Sequence, residues 1–184
     1  MKGIDKAARI LAKILEVSHW VGAGLMAAIG ICAITVPQRL KYFLDVNALK
    51  QEREISVYGF EVAAADSAGK IHMTTLLLFS IGAVLILSLM AMVFRNLYLI
   101  IKKSEGSTPF QKDNIRMLRE IGIFSMVIPA VGLIMSTIIR LAAGVDAVEV
   151  SMHMDGFMMG IIVLCLTQFF AHGAELEKDV DGLL

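Results

Sequence analysis

The chain has 184 residues, of which 57% are hydrophobic and 18% charged, and its 17 basic and 17 acidic residues balance. Soluble domains are nearer half apolar and a quarter charged, so this composition favours a protein that lies in a membrane. A nucleic-acid-binding surface needs a concentrated basic excess, and the balanced charge therefore argues against direct nucleic-acid binding.

Four apolar stretches are long enough to cross a bilayer, which takes about 20 residues for about 30 Å of hydrocarbon. They cover residues 14–36, 73–101, 121–143 and 150–171. None alternates with the period of two that strands show, so a transmembrane barrel is not expected. The first stretch is too long for a signal-peptide core and is expected to be retained. We predict an all-α membrane protein of one domain, with four transmembrane helices in an up-down bundle.

Lys and Arg residues are divided unevenly between the two sides of these spans. The N-terminal segment, the connection after the second span (95–120) and the 172–184 tail hold 11 of them, and the other side holds six. Because cytoplasmic segments carry an excess of Lys and Arg, the division predicts cytoplasmic termini and a cytoplasmic 102–120 connection.

The outer loop, residues 37–71, combines two kinds of local signal. "LKYFLDVNALKQ" predicts one or two helical turns at the interface. "EISVYGFEVAAADSAGKI" has strand-like composition followed by an Asp-Ser-Ala-Gly turn signal. We expect a short hairpin that caps the outer mouth of the bundle.

Two polar segments are predicted to extend the helices on the inner side. Thr108, Pro109 and Gln111 are suited to the N-cap, the first helical position and a capping box, which predicts that the third helix begins in the cytosol. Residues 4–15 form a basic amphipathic pattern, typical of a helix at the lipid headgroup boundary that draws on anionic lipid.

A family resemblance rests on two motifs, "STPFQKDNIRMLREIG" and the closing "FFAHGAELEKDVDGLL". With them the chain resembles a bacterial membrane protein family catalogued as domain of unknown function 2975, from about Leu76 to the end. The resemblance implies four helices in a bacterial inner membrane and no established activity. It also suggests a regulatory partnership with a cytoplasmic helix-turn-helix protein.

The inner side also offers charged residues for a partner. The acidic tail and the basic connection are predicted to meet; the residues concerned are Lys112, Arg116, Arg119, Glu175, Glu177 and Asp179. Each exposed pair would contribute only about 0.2–1 kcal/mol and would weaken with salt. The alternative is two separately solvated charged surfaces.

The four histidines lie near span ends, His19 and His172 at the inner level and His72 and His153 at the outer level. Paired histidines at each face are the pattern of bis-His haem ligation, although histidine is also ordinary at interfaces. The outer group His72, Met73, Met152, His153 and Met154 carries soft ligands suited to copper(I), although methionine also fills loose helix interfaces. The simplest expectation remains no cofactor.

Ionisable groups near the hydrocarbon are functional candidates by default. Glu16, Arg140 and Asp155 qualify, and Arg140 and Asp155 are placed to pair across the short outer turn, unless each extends to the interface. Pro129 interrupts the third span and is expected to kink it. Cys32 and Cys165 lie at different depths, which excludes a disulfide, and both are expected to be buried.

No catalytic motif appears in the chain, so enzymatic activity is not expected. Two classes of function stay open. The first is a regulatory or interaction protein that presents its inner helix extension and acidic tail to a partner. The second is a small transporter or channel, or a haem- or metal-binding membrane protein. Small-residue faces such as "GAG" at 22–24 are compatible with a homodimer.

Overall fold

Helices dominate the computed structural model, which describes residues 2–47, 54–63, 72–104, 108, 110–144 and 154–181. In those residues the helices are α1 (Lys2–Thr35), α2 (Pro37–Asn47), α3 (Met73–Ser104), α4 (Lys112–Ala143) and α5 (Asp155–Asp181). Strands β1 (Glu54–Val57) and β2 (Phe60–Ala63) form an antiparallel pair. The predicted all-α fold with a small hairpin is confirmed.

Helices α1, α3, α4 and α5 are each long and apolar enough to cross a membrane. α3 and α4 have 32 residues each, or about 48 Å at 1.5 Å per residue, which exceeds the hydrocarbon thickness. Each helix therefore carries a polar extension beyond its apolar part. The fourth of the long apolar helices, α5, begins at Asp155 rather than at residue 150, since Met154 lies just outside it.

The first helix joins the basic amphipathic segment to the first span. Residues 4–15 and the first span belong to one continuous helix. The helical pattern is interrupted only at Val36, where the following Pro37 disfavours helical geometry in the residue before it. α2 then runs for 11 residues, longer than the one or two turns predicted.

The start of α4 was predicted too early. The helix begins at Lys112, and the backbone N–H of Ile115 donates to the carbonyl of Gln111 at 3.1 Å. Gln111 is thus the capping position, and the prediction of Thr108 as N-cap is wrong. Thr108 instead contacts α5, as described below.

The hairpin turn lies at Tyr58 and Gly59, within the stretch predicted as strand. Their φ angles are 50° and 79°, as a type I′ turn requires, and glycine takes the second of these positions without strain. Val57 pairs with Phe60 beside the turn. The Asp-Ser-Ala-Gly sequence predicted to turn the chain lies outside the described residues.

The chain divides into two compact units. Unit 1 comprises residues 1–19, 89–127 and 154–184, and unit 2 comprises residues 20–88 and 128–153. In unit 2 the side chains of Phe60, Phe79 and Ile86 are almost fully buried. In unit 1 the core includes Met117 and Ile121. α4 passes through Pro129 without interruption of the helix.

Candidate functional site

The helix extensions of unit 1 form the surface richest in polar contacts in the described part of the chain. We call residues 95–104, 108, 110–120 and 172–181 the polar end. It contains the last turns of α3, the first turns of α4 and the last turns of α5. Every cation and acid predicted to bind a partner lies within it.

Three side-chain contacts join α3 to α4 in the polar end. Lys103 Nζ lies 2.7 Å from Asp113 Oδ2. Next to this pair, the amide of Asn114 donates to Ser104 Oγ at 3.3 Å. Nearer the apolar part, Asn96 Nδ2 donates to Glu120 Oε2 at 2.9 Å, and Asn96 is 4% exposed.

The Lys103 ammonium lowers the pKa of the Asp113 carboxyl, first by its hydrogen bond and then by its charge. Asp113 lies in the first turn of α4, ahead of the apolar stretch, and is exposed. A carboxylate in the first turn also interacts favourably with the positive end of the helix dipole. The connection between α3 and α4 is therefore held by charge as well as by hydrogen bonds.

Helix α5 is attached to the connection by Thr108 and Phe110. The Thr108 hydroxyl donates to Glu177 Oε2 at 3.2 Å. The Phe110 and Phe170 rings have centroids 5.6 Å apart. A Cβ at Gly173 would lie 2.8 Å from Phe110, so the ring rests where α5 has no side chain. These two residues tie the tail to the polar end.

The predicted partner-binding charges remain at the surface. Arg116 is paired at 3.7 Å with Glu120 one turn along its own helix. Glu175 lies 3.5 Å from His172, also within one helix. Lys112, Arg119 and Asp179 are exposed. Among the described side chains no ion pair joins Lys112, Arg116 or Arg119 to the tail acids, and the tail is held by Thr108 and Phe110 instead.

The two inner histidines are in different surroundings. His19 is 9% exposed, its Nδ1–H donates to the Leu15 carbonyl at 2.6 Å, and its ring lies 5.1 Å from that of Phe94. His172 has a side chain 75% exposed beside Glu175. One imidazole is buried and the other is exposed.

The outer histidines and methionines are only partly described. His72 is exposed and Met154 is 52% exposed. Met73 is half-buried, and Met152 and His153 lie outside the described residues. Within the part of the chain that the structure describes, no three His, Cys, Asp or Glu side chains are grouped to hold a metal ion.

The three ionisable candidates near the hydrocarbon differ in burial. Glu16 is 7% exposed and accepts a hydrogen bond from Lys13 Nζ at 2.9 Å. Arg140 and Asp155 are exposed, at the end of α4 and the start of α5, where each charge favours the helix dipole. Both cysteines are free; Cys32 is half-buried and Cys165 is exposed, whereas burial was predicted for both.

Sequence analysis missed the surroundings of Tyr98. Lys13 Nζ lies 5.2 Å from the Tyr98 ring centroid, and Lys102 Nζ lies 5.9 Å from it. The spacing of Tyr98 and Lys102, four residues apart on one helix, would have predicted one of these contacts. The contact with Lys13 needed the pairing of α1 with α3.

These observations define the class of protein. It is a helical protein with four helices long and apolar enough to cross a membrane, and its helices extend into a polar end. Comparison of the chain with family models, with curated proteins and with solved structures gave no match. What the polar end does must therefore be argued from its own residues.

Proposed function

We propose that this chain is a multi-pass protein of the bacterial inner membrane whose polar end lies in the cytoplasm and docks a regulatory protein. The resemblance stated above suggests a small helix-turn-helix protein as the partner. The uneven division of Lys and Arg supports the cytoplasmic placement of the polar end. The function is thus one of interaction rather than catalysis.

One observation carries the proposal: the polar end is held in place by contacts that leave its charges exposed. Lys103 and Asp113 join α3 to α4, and Thr108 and Phe110 join the connection to α5. The cations Lys112, Arg116 and Arg119 take no part in these contacts. A surface of ordered, exposed charges suits a partner because complementary charge sets specificity and association rate.

The same surface also carries apolar residues. Leu176 is 56% exposed and Val180 is 59% exposed, one turn apart on α5. Glu175 and Asp179 precede each of them in the sequence and are also exposed. Apolar side chains bordered by charged ones are the arrangement of protein interfaces, which have an apolar centre and a polar rim.

The placement of the polar end is tested by the accessibility of single cysteines to a membrane-impermeant maleimide. In a background with both native cysteines replaced, Lys178→Cys should react only after cells are permeabilised. Tyr42→Cys, in α2, should react in intact cells, since α2 follows the first span. Reaction of Lys178→Cys in intact cells would place the polar end outside and end the proposal.

Docking is tested by charge reversal at two exposed cations. The chain carrying Arg116→Glu and Arg119→Glu should lose a co-purifying helix-turn-helix protein that the unmodified chain retains. The control variant carries Arg39→Glu and Lys41→Glu in α2 of unit 2. It makes the same change in charge elsewhere and should retain the co-purifying protein. Equal loss from both variants, or retention by both, would contradict docking at the polar end.

The haem interpretation has its own measurement. An absorption spectrum of the purified chain with a Soret band that disappears in His19→Ala would replace the docking proposal by an electron-transfer function. The docking proposal expects no such band.

A further inference from the structure

We propose that Lys13 and Lys102, gathered around the Tyr98 ring, form a binding site for the phosphate of an anionic phospholipid. This site goes beyond the proposed docking function and uses none of the residues assigned to the partner. Its ligand chemistry is that of a phosphate monoanion. Of the two sources of that group, the surroundings favour a lipid over free phosphate.

The site is built by two helices. Lys13 comes from α1 and Lys102 from α3, and both ammonium groups lie within 6 Å of the centroid of one ring. A cation over an aromatic face is attracted by the ring quadrupole. Tyr98 thus has two ammonium groups beside its ring, one from each helix.

The charges around Tyr98 do not cancel. Glu16 accepts a hydrogen bond from Lys13 at 2.9 Å and is the carboxylate of this cluster. On α3, Arg95 is exposed three residues before Tyr98. The positive surplus matches the demand of a phosphate, which lysine binds as a point charge.

The residue types of the site are those that occur at headgroup depth. Tyrosine is enriched at membrane interfaces, and lysines near helix ends extend their ammonium groups to the same level. Lys102 is two residues from the end of α3. The site therefore lies where phospholipid phosphates lie.

Apolar side chains continue from the site toward the membrane centre. Ile14 is 59% exposed and Val17 is 49% exposed, both on α1 just beyond Lys13. Acyl chains have an apolar surface to contact there, whereas a free phosphate ion does not. This continuity is the reason for assigning a lipid.

The single tryptophan of the chain reports on the site. Trp20 follows Lys13 by seven residues, two turns along α1, and is 46% exposed. It therefore lies about 10 Å from the level of Lys13. Lipids with brominated acyl chains quench tryptophan at short range, so the quenching of Trp20 measures which lipid occupies the neighbourhood of the site.

The experiment uses the full chain in phosphatidylcholine vesicles that contain a small share of phosphatidylglycerol. Brominated phosphatidylglycerol should quench Trp20 well beyond its bulk share, whereas brominated phosphatidylcholine at the same share should not. Removing one ammonium by Lys102→Gln should lower the preference about fivefold, because each cation near an anionic surface contributes about that factor. Lys13→Gln with Lys102→Gln should abolish it.

The control is Arg39→Gln with Lys178→Gln, which removes two exposed cations that lie outside α1 and α3. It should retain most of the preference. A loss equal to that of the Lys13 and Lys102 variant would assign the effect to general surface charge and overturn the site. Absence of any preference in the unmodified chain would do the same.

Two further measurements cover a double variant that does not fold and free phosphate as the ligand. Because Lys13→Gln leaves Glu16 buried without its ammonium partner, Lys102→Gln alone at an exposed helix end is the decisive variant if the double variant does not fold. Sodium phosphate should displace the lipid no better than sodium chloride of equal ionic strength. Specific displacement by phosphate would assign the site to the free ion.

Discussion

The hairpin of unit 2 and the polar end of unit 1 are held by opposite kinds of interaction. In unit 2, Phe60 is 1% exposed and stacks on Phe79 at 5.1 Å, in a space that exists because Gly82 has no side chain. In unit 1, Lys103 and Asp113 are joined at the surface. Apolar burial involves no ionised group and is not screened by salt, whereas exposed ion pairs weaken with salt and depend on pH. The hairpin is therefore suited to a permanent structural role, and the polar end is suited to reversible binding of a partner.

The largest effect is expected at the hairpin. Phe60→Ala should lower the free energy of unfolding by about 3–5 kcal/mol, because it empties a buried site that neighbouring helices cannot fill. Detergent-induced unfolding, followed by Trp20 fluorescence, measures this loss. Phe43→Ala, at a 60% exposed ring in α2, makes the same chemical change without a cavity and should have little effect. Equal effects would show that Phe60 is not the anchor of unit 2.

A smaller effect is expected where α4 and α5 approach within unit 1. A Cβ at Gly160 would lie 2.8 Å from the Gly122 carbonyl oxygen and would also overlap Met126. Gly160→Ala should therefore cost about 1–3 kcal/mol through overpacking. Gly24→Ala meets no atom within 4 Å, and its better helix propensity should leave stability equal or slightly higher. A neutral Gly160→Ala would mean that the polar end does not depend on this close contact.

The smallest effect is expected at the ion pair of the polar end. Since the folded-state pKa of Asp113 lies below its ordinary value of 3.8, the contact with Lys103 contributes stability above that value. It is lost as the pH falls through the lowered pKa. Carboxyl NMR titration should show the depressed pKa, and salt should move it back toward 3.8.

Lys103→Gln provides the control for this titration, because it removes the first cause of the shift while leaving Arg116 in place. The Asp113 pKa should return most of the way to its ordinary value. A pKa that stays depressed in this variant would attribute the shift to Arg116 or the helix dipole instead. In that case the polar end would be less sensitive to salt than the comparison with the hairpin implies.

Much of the fold was predictable, and the reason is visible in particular elements. The four long helices follow from four apolar stretches. In a bilayer every backbone N–H and C=O must be paired internally, and a helix pairs them within one segment. The hairpin followed from β-branched and aromatic residues, but a turn at Tyr58 and Gly59 was not predicted. "DSAG" is the stronger signal by composition, whereas Tyr58 adopts a positive φ that its residue type does not announce.

The candidate site was predictable only in part. The exposed charges of the connection and tail were identified from their types, but their contacts were not. Thr108 is of a residue type that favours N-cap positions. Its hydroxyl instead donates to Glu177, because α5 brings this carboxylate to it from 69 residues away in the sequence. Local propensity is a weak guide where such a contact competes with it.

By itself, the sequence of this protein determined how many helices can cross a membrane and which of them carry polar extensions. These properties depend on local hydropathy and hydrogen bonding along one segment. Only the tertiary structure decided that Phe60 enters a space at Gly82, that Phe110 rests on Gly173, and that two lysines share Tyr98. Each of these depends on two segments distant in sequence meeting at one level, and no periodicity within a single helix encodes which residues meet.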